Sequence, residues 1–406
     1  MPFALHLLGL AVFAQGTSEF MLSGLGPDIA RDLQVSIPAA GSLTSAFAVG
    51  MVVGAPLMAV VSRRWSPRRA LLLFLVTFLV VHVVGALTAS YAVLLVTRVV
   101  GALANAGFLA VALVTAVGMV DRTKTGRATS ALLGGVTMAC VVGVPAGAVL
   151  GQMWGWRSAF WAVALVSVPA VFAILRAVPA SGAAPGTDAG DVGAWAELRS
   201  LREPRLLVTL VLGALVNGAT FCTFTYLSPL VTSVTGLGAV WVPVMLALFG
   251  VGSFVGVTVG GRIADARPVP LLVAGGLALV VGWVVLAVTA GSPAAVTVLV
   301  LVQGALSFAV GSTLVSQVLY AATGAPTLAG GFATAALNVG AAAGPWCGGL
   351  VIAAGHGFRA PVWVSAALVA LALAVAGVVA AVARVPARRR TAAGSSAARD
   401  GGREYV

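Results

Sequence analysis

Apolar residues fill this chain in blocks instead of alternating along it. Runs of about 20 residues with few or no charges, bounded by charges, Pro or Gly, cover positions 3–26, 39–61, 70–89, 92–119, 128–151 and 157–176. Six more cover 206–230, 239–260, 270–290, 294–319, 328–354 and 361–384. That length is what an α-helix needs to cross a hydrocarbon core. The pattern predicts an all-α integral membrane protein with twelve transmembrane helices. The first run lacks a basic start and continues directly into polar positions, so it reads as a retained helix and not a cleaved signal.

Composition agrees: 60% of the 406 residues are hydrophobic and 8% are charged, against about 25% charged in a soluble domain. The net charge of +12 raises nucleic acid as a partner, but its placement argues against that. Basic residues gather in alternate loops: Arg63, Arg64, Arg68 and Arg69; Arg122, Lys124 and Arg127; Arg176, Arg199, Arg202 and Arg205; Arg262 and Arg267; and the tail after Ala383. By the positive-inside rule both termini of a multi-pass chain are expected to be cytoplasmic. The single lysine among so many arginines, with abundant Ala, Gly and Val, suggests a GC-rich bacterial genome. Cys140, Cys222 and Cys347 fall inside the apolar runs, where thiols behave as small apolar groups and imply no disulfide framework.

The chain repeats itself. "GTSEFMLSGLGP" (16–27) aligns without gaps on "GATFCTFTYLSP" (218–229) at an offset of 202, and the same offset sets "GWR" (155–157) on "GFR" (357–359) and Trp161 on Trp363. This predicts a six-helix bundle at 1–176, a duplicate in the same orientation at 206–384, a Gly/Ala/Pro-rich cytoplasmic linker at 177–205 and a disordered tail at 385–406. "AWAELRSLREP" within the linker suggests a short surface helix ending at Pro204.

Glu19 stands inside the first run, and an ionised carboxylate there costs about 2.5–3.5 kcal/mol on insertion scales, so it needs a partner or a watery cavity. Gln15, Glu19 and Ser23 share one helical face by i, i+4, i+8 spacing; their counterparts at the offset are Asn217, Phe221 and Thr225. The acid exists in one half only. Arg98 is its natural mate, because each lies about 9–10 Å along its helix from the same side at 1.5 Å per residue. The pair reads either as a structural ion pair or as a proton carrier. Desolvation and a nearby guanidinium act oppositely on a carboxylate, so a motion that changes either would load or release a proton. Asp28 and Asp32, beyond the apolar run, read as solvated.

A 6 + 6 chain with a parallel repeat and a cytoplasmic central linker resembles the major facilitator superfamily of transporters. "GTSEFMLSGLGPDIARDL", "GVPAGAVLGQMWGWRSAF" and "NVGAAAGPWCGGLV" resemble the actinobacterial chloramphenicol-resistance exporters and their sugar-efflux-like relatives in the drug:proton antiporter group. "LLVTRVVGALANAG" resembles the helix-4 motif whose Arg is linked to proton transfer, which places Arg98 beside Glu19 in coupling. The resemblance implies proton-driven efflux of a small amphipathic drug such as chloramphenicol, with a sugar or metabolite exporter as the alternative. Its partners would be drug, protons and lipid; no nucleic acid, cofactor or metal is expected, and the protein should be a monomer.

"GAAAGPWCGG" matches the antiporter motif G-x-x-x-G-P-x-x-G-G, but on helix 11 instead of helix 5, where Gly143 and Pro145 form a looser version. Gly340, Gly344, Pro345 and Gly348, like that pair, read first as helix packing. The loop 2/3 signature of the superfamily lacks its Gly and Asp here, whereas Asp265 and Arg267 keep the loop 8/9 copy and would form a charge latch. Further cavity candidates are Asn105, Tyr226, Gln303, Phe308 and Asn338. Trp346 and Phe221 are candidates for stacking on an aromatic drug; His82 reads as a hydrogen-bonded packing residue. A P-loop, H-E-x-x-H and G-x-S-x-G are all absent from the sequence, which argues against an ATP-driven pump or an intramembrane enzyme.

Overall fold

The structure, a computed structural model, describes residues 3–62, 65–120, 132, 134–178, 199–322 and 329–400. Among these, eleven helices are individually long and apolar enough to cross a membrane, and a bent pair at the N-terminus supplies a twelfth. We number them α1 to α12. α1 has two limbs, Phe3–Phe20 and Leu22–Asp32, bent by 53°. There follow α2 (Ile37–Ser62), α3 (Pro67–Leu87), α4 (Tyr91–Gly118), α5 (Gly134–Trp154) and α6 (Arg157–Ala177). The second half holds α7 (Pro204–Thr225), α8 (Trp241–Ala266), α9 (Pro268–Thr289), α10 (Pro293–Ala321), α11 (Ala329–Val351) and α12 (Ala360–Asp400).

The offset of 202 runs through the whole fold. Within the first half α2 packs on α4, α1 on α5 and α6, and α3 on α4 and α6; within the second, α8 packs on α10, α7 on α11 and α12, and α9 on α10 and α12. Glycines repeat with the contacts they permit. A Cβ on Gly50 would meet the backbone of Val99, and one on its counterpart Gly252 would meet the backbone of Leu301, 202 residues beyond Val99. Gly155 and Gly357 both adopt positive φ, 80° and 73°, ahead of α6 and α12, a conformation that glycine reaches without a Cβ penalty.

The halves meet through α2 against α11 and α5 against α8, an exchange that the duplication maps onto itself. Tyr226 sits at the first seam, against Gly41 of α2 and Gly349 of α11. At the second, Gln152 donates to the Ala239 carbonyl at 2.6 Å. Large apolar side chains remain exposed on the outside, Leu73, Val76, Val80 and Val84 of α3 among them. In water such a surface would drive association; here it faces lipid tails.

Pro204 opens α7 at its first turn, where a proline's missing N–H costs nothing; a 3₁₀ turn at Arg199–Arg202 precedes it, and the rest of the expected linker helix lies outside the described residues. One sequence expectation changes. The tail is helical as far as Asp400, although the apolar span ends at Val382; its many Ala and Arg residues are good helix formers. Arg63, Arg64, Arg122, Lys124, Arg127 and most of the linker lie outside the described residues.

Past the apolar part of α1, the two acidic residues are paired and not merely solvated. Arg31 bonds Asp28 at 3.3 Å. Arg157, stacked on Trp156, donates to Asp32 and to the Thr88 carbonyl, tying the ends of α1, α3 and α6 together. The Arg157 hydrogen bond, aided by one from Trp156, holds the Asp32 carboxyl below its usual range. A carboxyl lowered in the folded state stabilises above its unfolded value, about 4, and that contribution is lost as pH falls through the lower folded value. Asp32→Asn is therefore expected to lower the melting temperature modestly at pH 7, the pair being half exposed, and progressively less below about pH 4. Melting curves of purified protein from pH 3 to 7 check this; a difference independent of pH would exclude the ion pair as its origin.

Candidate functional site

The bend in α1 falls at Met21, two residues after Glu19. Gly24 bonds the Met21 carbonyl at 3.1 Å, a tightened i to i+3 turn, and Pro27 cannot supply the amide that the Ser23 carbonyl would otherwise receive. The turn leaves Glu19 at the end of one limb and Ser23 on the next. The predicted stripe of Gln15, Glu19 and Ser23 is thus broken by the bend. Gln15 is buried, and neither of its amide atoms has a partner among the described residues.

Glu19 is half buried. It forms no hydrogen bond or ion pair among the described residues, and it couples to Arg98 through space. The predicted level of Arg98 is right, but its direct partner is different. Arg98 is 2% exposed and donates Nη1 to the Ser18 hydroxyl at 2.9 Å and Nη2 to the Ser18 carbonyl at 2.8 Å. Its guanidinium lies 4.4 Å over the Phe47 ring, a placement that recovers part of the cost of burying the charge. Equal depth fixes the level along two helices but not the direction around them, and adjacent residues of a helix point about 100° apart.

Beside Glu19 begins a run of rings that crosses from one half to the other. Phe20 of α1 meets Phe221 of α7 at 5.5 Å between centroids; Phe221 meets Phe224 at 6.1 Å, Phe224 meets Phe249 of α8 at 4.6 Å, and Phe249 meets Phe308 of α10 at 6.2 Å. Thr225 and Ser307, with buried hydroxyls that lack partners among the described residues, belong to the same helices α7 and α10. The structure therefore brings together a carboxylate, a buried guanidinium and an apolar aromatic track that bridges the two bundles.

Other sequence candidates are engaged by neighbouring groups of the protein. Asn105 reaches Met51 Sδ at 3.5 Å, Asn217 donates to the Leu337 carbonyl at 2.6 Å, and Asn338 donates within its own helix to Thr334 at 3.0 Å. Tyr226 is buried and donates to the Pro345 carbonyl at 2.8 Å. Gln303 donates to the Leu279 carbonyl at 3.2 Å inside the second bundle. Trp346 is 60% exposed and belongs to none of the ring contacts of the aromatic track. Gly340, Gly344 and Gly348 face α7, and Gly143 faces Thr17 of α1; Pro145 and Pro345 lie in the same two helices. Asp265 is on the last turn of α8, its side chain outside the described set, and Arg267 caps that helix, exposed. Sequence reasoning missed Ser18, Phe47 and Phe249. Ser18 had a signal, being the polar neighbour of Glu19 inside the opening string.

The family profile described as Major Facilitator Superfamily matches residues 8–330. The chain belongs to the major facilitator superfamily. It is a multi-pass membrane transporter and not an enzyme. It is 56% identical over 376 residues to the chloramphenicol resistance protein of Streptomyces lividans, covering 93% of this chain and 96% of that one. It is 35% identical over 356 residues to the inner membrane transport protein YdhP of Escherichia coli K12, covering 88% and 90%. Among solved structures it resembles the nucleoside transporter NupG, with TM-score 0.75 at 12% identity over 92% of this chain and 99% of that one. It also resembles a bacterial homolog of the human lysosomal transporter Spinster in an inward-facing, unoccupied conformation, with TM-score 0.72 at 16% identity over 92% and 94%. At those identities the structural likeness concerns the superfamily fold alone.

Proposed function

We propose that this transporter exports a small amphipathic aromatic drug, chloramphenicol foremost, in exchange for protons, with Glu19 as the proton carrier and both termini cytoplasmic. The observation that carries this reading is the position of Glu19: at the bend of α1, half buried, without a direct partner among the described residues, and next in sequence to the Phe20 end of the aromatic track. A carboxylate so placed can give up a proton when an apolar drug enters beside it and water access changes. The likeness to the Streptomyces lividans protein supports chloramphenicol as the substrate, and the bias of basic loops supports the orientation.

The energetics suffice with one proton. Falling through about 150 mV, a proton releases roughly 3.5 kcal/mol, which holds a neutral solute at a gradient of a few hundred-fold at about 1.4 kcal/mol per decade. Expression in a pump-deleted host is expected to lower chloramphenicol accumulation severalfold, and a protonophore to restore it. Unchanged exclusion after the proton gradient collapses would overturn proton coupling. Exclusion of a sugar analogue with chloramphenicol unaffected would move the substrate to the sugar-efflux alternative.

A further inference from the structure

His82 of α3 is 3% exposed and lies between the Phe78 ring at 4.1 Å and the Phe160 ring at 5.7 Å. Its Nδ1 is 2.6 Å from the Phe78 carbonyl. A carbonyl only accepts, so Nδ1 carries the hydrogen. The neutral ring then presents a bare Nε2, 2.6 Å from the Ser18 hydroxyl, and that hydroxyl donates to it. With its hydrogen committed to His82, the Ser18 oxygen turns its lone pairs to Arg98 Nη1, while the Ser18 carbonyl takes Nη2. The order of donation is Arg98 to Ser18, Ser18 to His82, His82 to Phe78. Reverse the first imidazole bond and the hydroxyl hydrogen is free to point at the guanidinium.

We propose that His82 is a positioning residue: through the Ser18 hydroxyl it holds the Arg98 guanidinium on Ser18 and off the neighbouring Glu19 carboxylate. The inference rests on the reading of Glu19 as proton carrier. Ser18 and Glu19 are adjacent on α1, so a guanidinium released from Ser18 is free to turn around the helix toward the carboxylate, with which it would form a strong bidentate pair. A carboxylate so paired is poorly placed to exchange a proton; one that only feels the charge through space stays available. The duplication supports the grouping. At the offset of 202, Ser18, Glu19, His82 and Arg98 correspond to Thr220, Phe221, Val284 and Val300, so the second half lacks the acid, the guanidinium and the imidazole together.

The test compares His82→Phe, which keeps a ring of similar size between Phe78 and Phe160, with His82→Gln, which restores an acceptor and a donor. At equal membrane level, His82→Phe is expected to slow proton-driven chloramphenicol export about tenfold, the rate effect of one lost hydrogen bond of that class. His82→Gln should recover most of it, which a purely space-filling role would not allow. Ser18→Ala should match His82→Phe, and the double variant should be no worse than either single one, as members of one network do not add. Wild-type export by His82→Phe, equal failure of Phe and Gln, or additive losses would each overturn the proposal. Should His82→Phe not reach the membrane, Ser18→Ala decides alone: a tenfold loss supports the proposal and wild-type export overturns it. Glu19→Gln separates the two readings. If it exports normally, the proton-carrier reading fails; if it is inactive while Ser18→Ala and His82→Phe are normal, only the positioning role fails.

Discussion

Glu19→Gln is expected to reach the membrane at the wild-type level and to lose proton-driven export completely. The amide keeps the size of the side chain and can still hydrogen-bond, so packing at the bend of α1 should survive. It cannot take up or release a proton, which removes the roughly 3.5 kcal/mol per proton that drives accumulation at about 150 mV. Transport down a drug gradient does not need that energy, so counterflow of labelled against unlabelled drug in vesicles should persist while uphill export fails. The deciding measurement is drug-induced proton release from detergent-solubilised protein. Wild type should release protons on adding chloramphenicol and Glu19→Gln should release none. Undiminished release in the variant would make Glu19 structural and move the search to Asp28. That residue is already engaged by Arg31 at the end of α1, and Asp28→Asn should accordingly be mild.

What the sequence made legible was whatever the bilayer and the duplication constrain. Twelve apolar runs became twelve spans because length and apolarity alone decide crossing, and two short matches at one offset became a repeat that reaches even the positive φ of Gly155 and Gly357. Direction around each helix was harder. In a soluble protein the polar face marks the outside, but here the lipid side and the interior are both apolar, so Trp346 and Phe221 looked alike until one was found exposed and the other in the aromatic track. The same ambiguity hid the partner of Arg98: its depth was read correctly, yet Ser18 and Glu19, one residue apart, differ in which way they face. The bend at Met21 was hidden too, since Gly24 and Pro27 are compatible with a straight or a broken span, and only packing against α2, α5 and α7 selects the latter.

The antiporter string on α11 leads to the largest expected loss of stability. Gly344→Ala should yield much less folded protein and lower its melting temperature, whereas Gly311→Ala on α10 should be neutral or slightly stabilising. A Cβ on Gly344 would overlap the Gly218 carbonyl oxygen and lie 2.9 Å from its carbon and 3.0 Å from the Cys222 nitrogen. These are backbone atoms of α7, which is itself held by α10, α11 and α12, so no side chain can swing away to relieve the clash. Overpacking typically costs about 1–3 kcal/mol, and Gly340, whose Cβ would strike the Ala214 carbonyl, belongs to the same seam. Gly311 has nothing within 4 Å of its added carbon, so Ala there contributes only its better helix propensity, about 1 kcal/mol in a water-exposed helix and less in lipid. Fluorescence-detected size exclusion after a heat step measures both variants on one scale. If Gly344→Ala is as stable as wild type but fails to couple drug to protons, close packing is the wrong account of the motif, and its glycines act in the transport cycle. If stability falls and the surviving protein still couples, the string is a helix-packing device that this chain carries on α11, with Gly143 against Thr17 as its looser counterpart in α5.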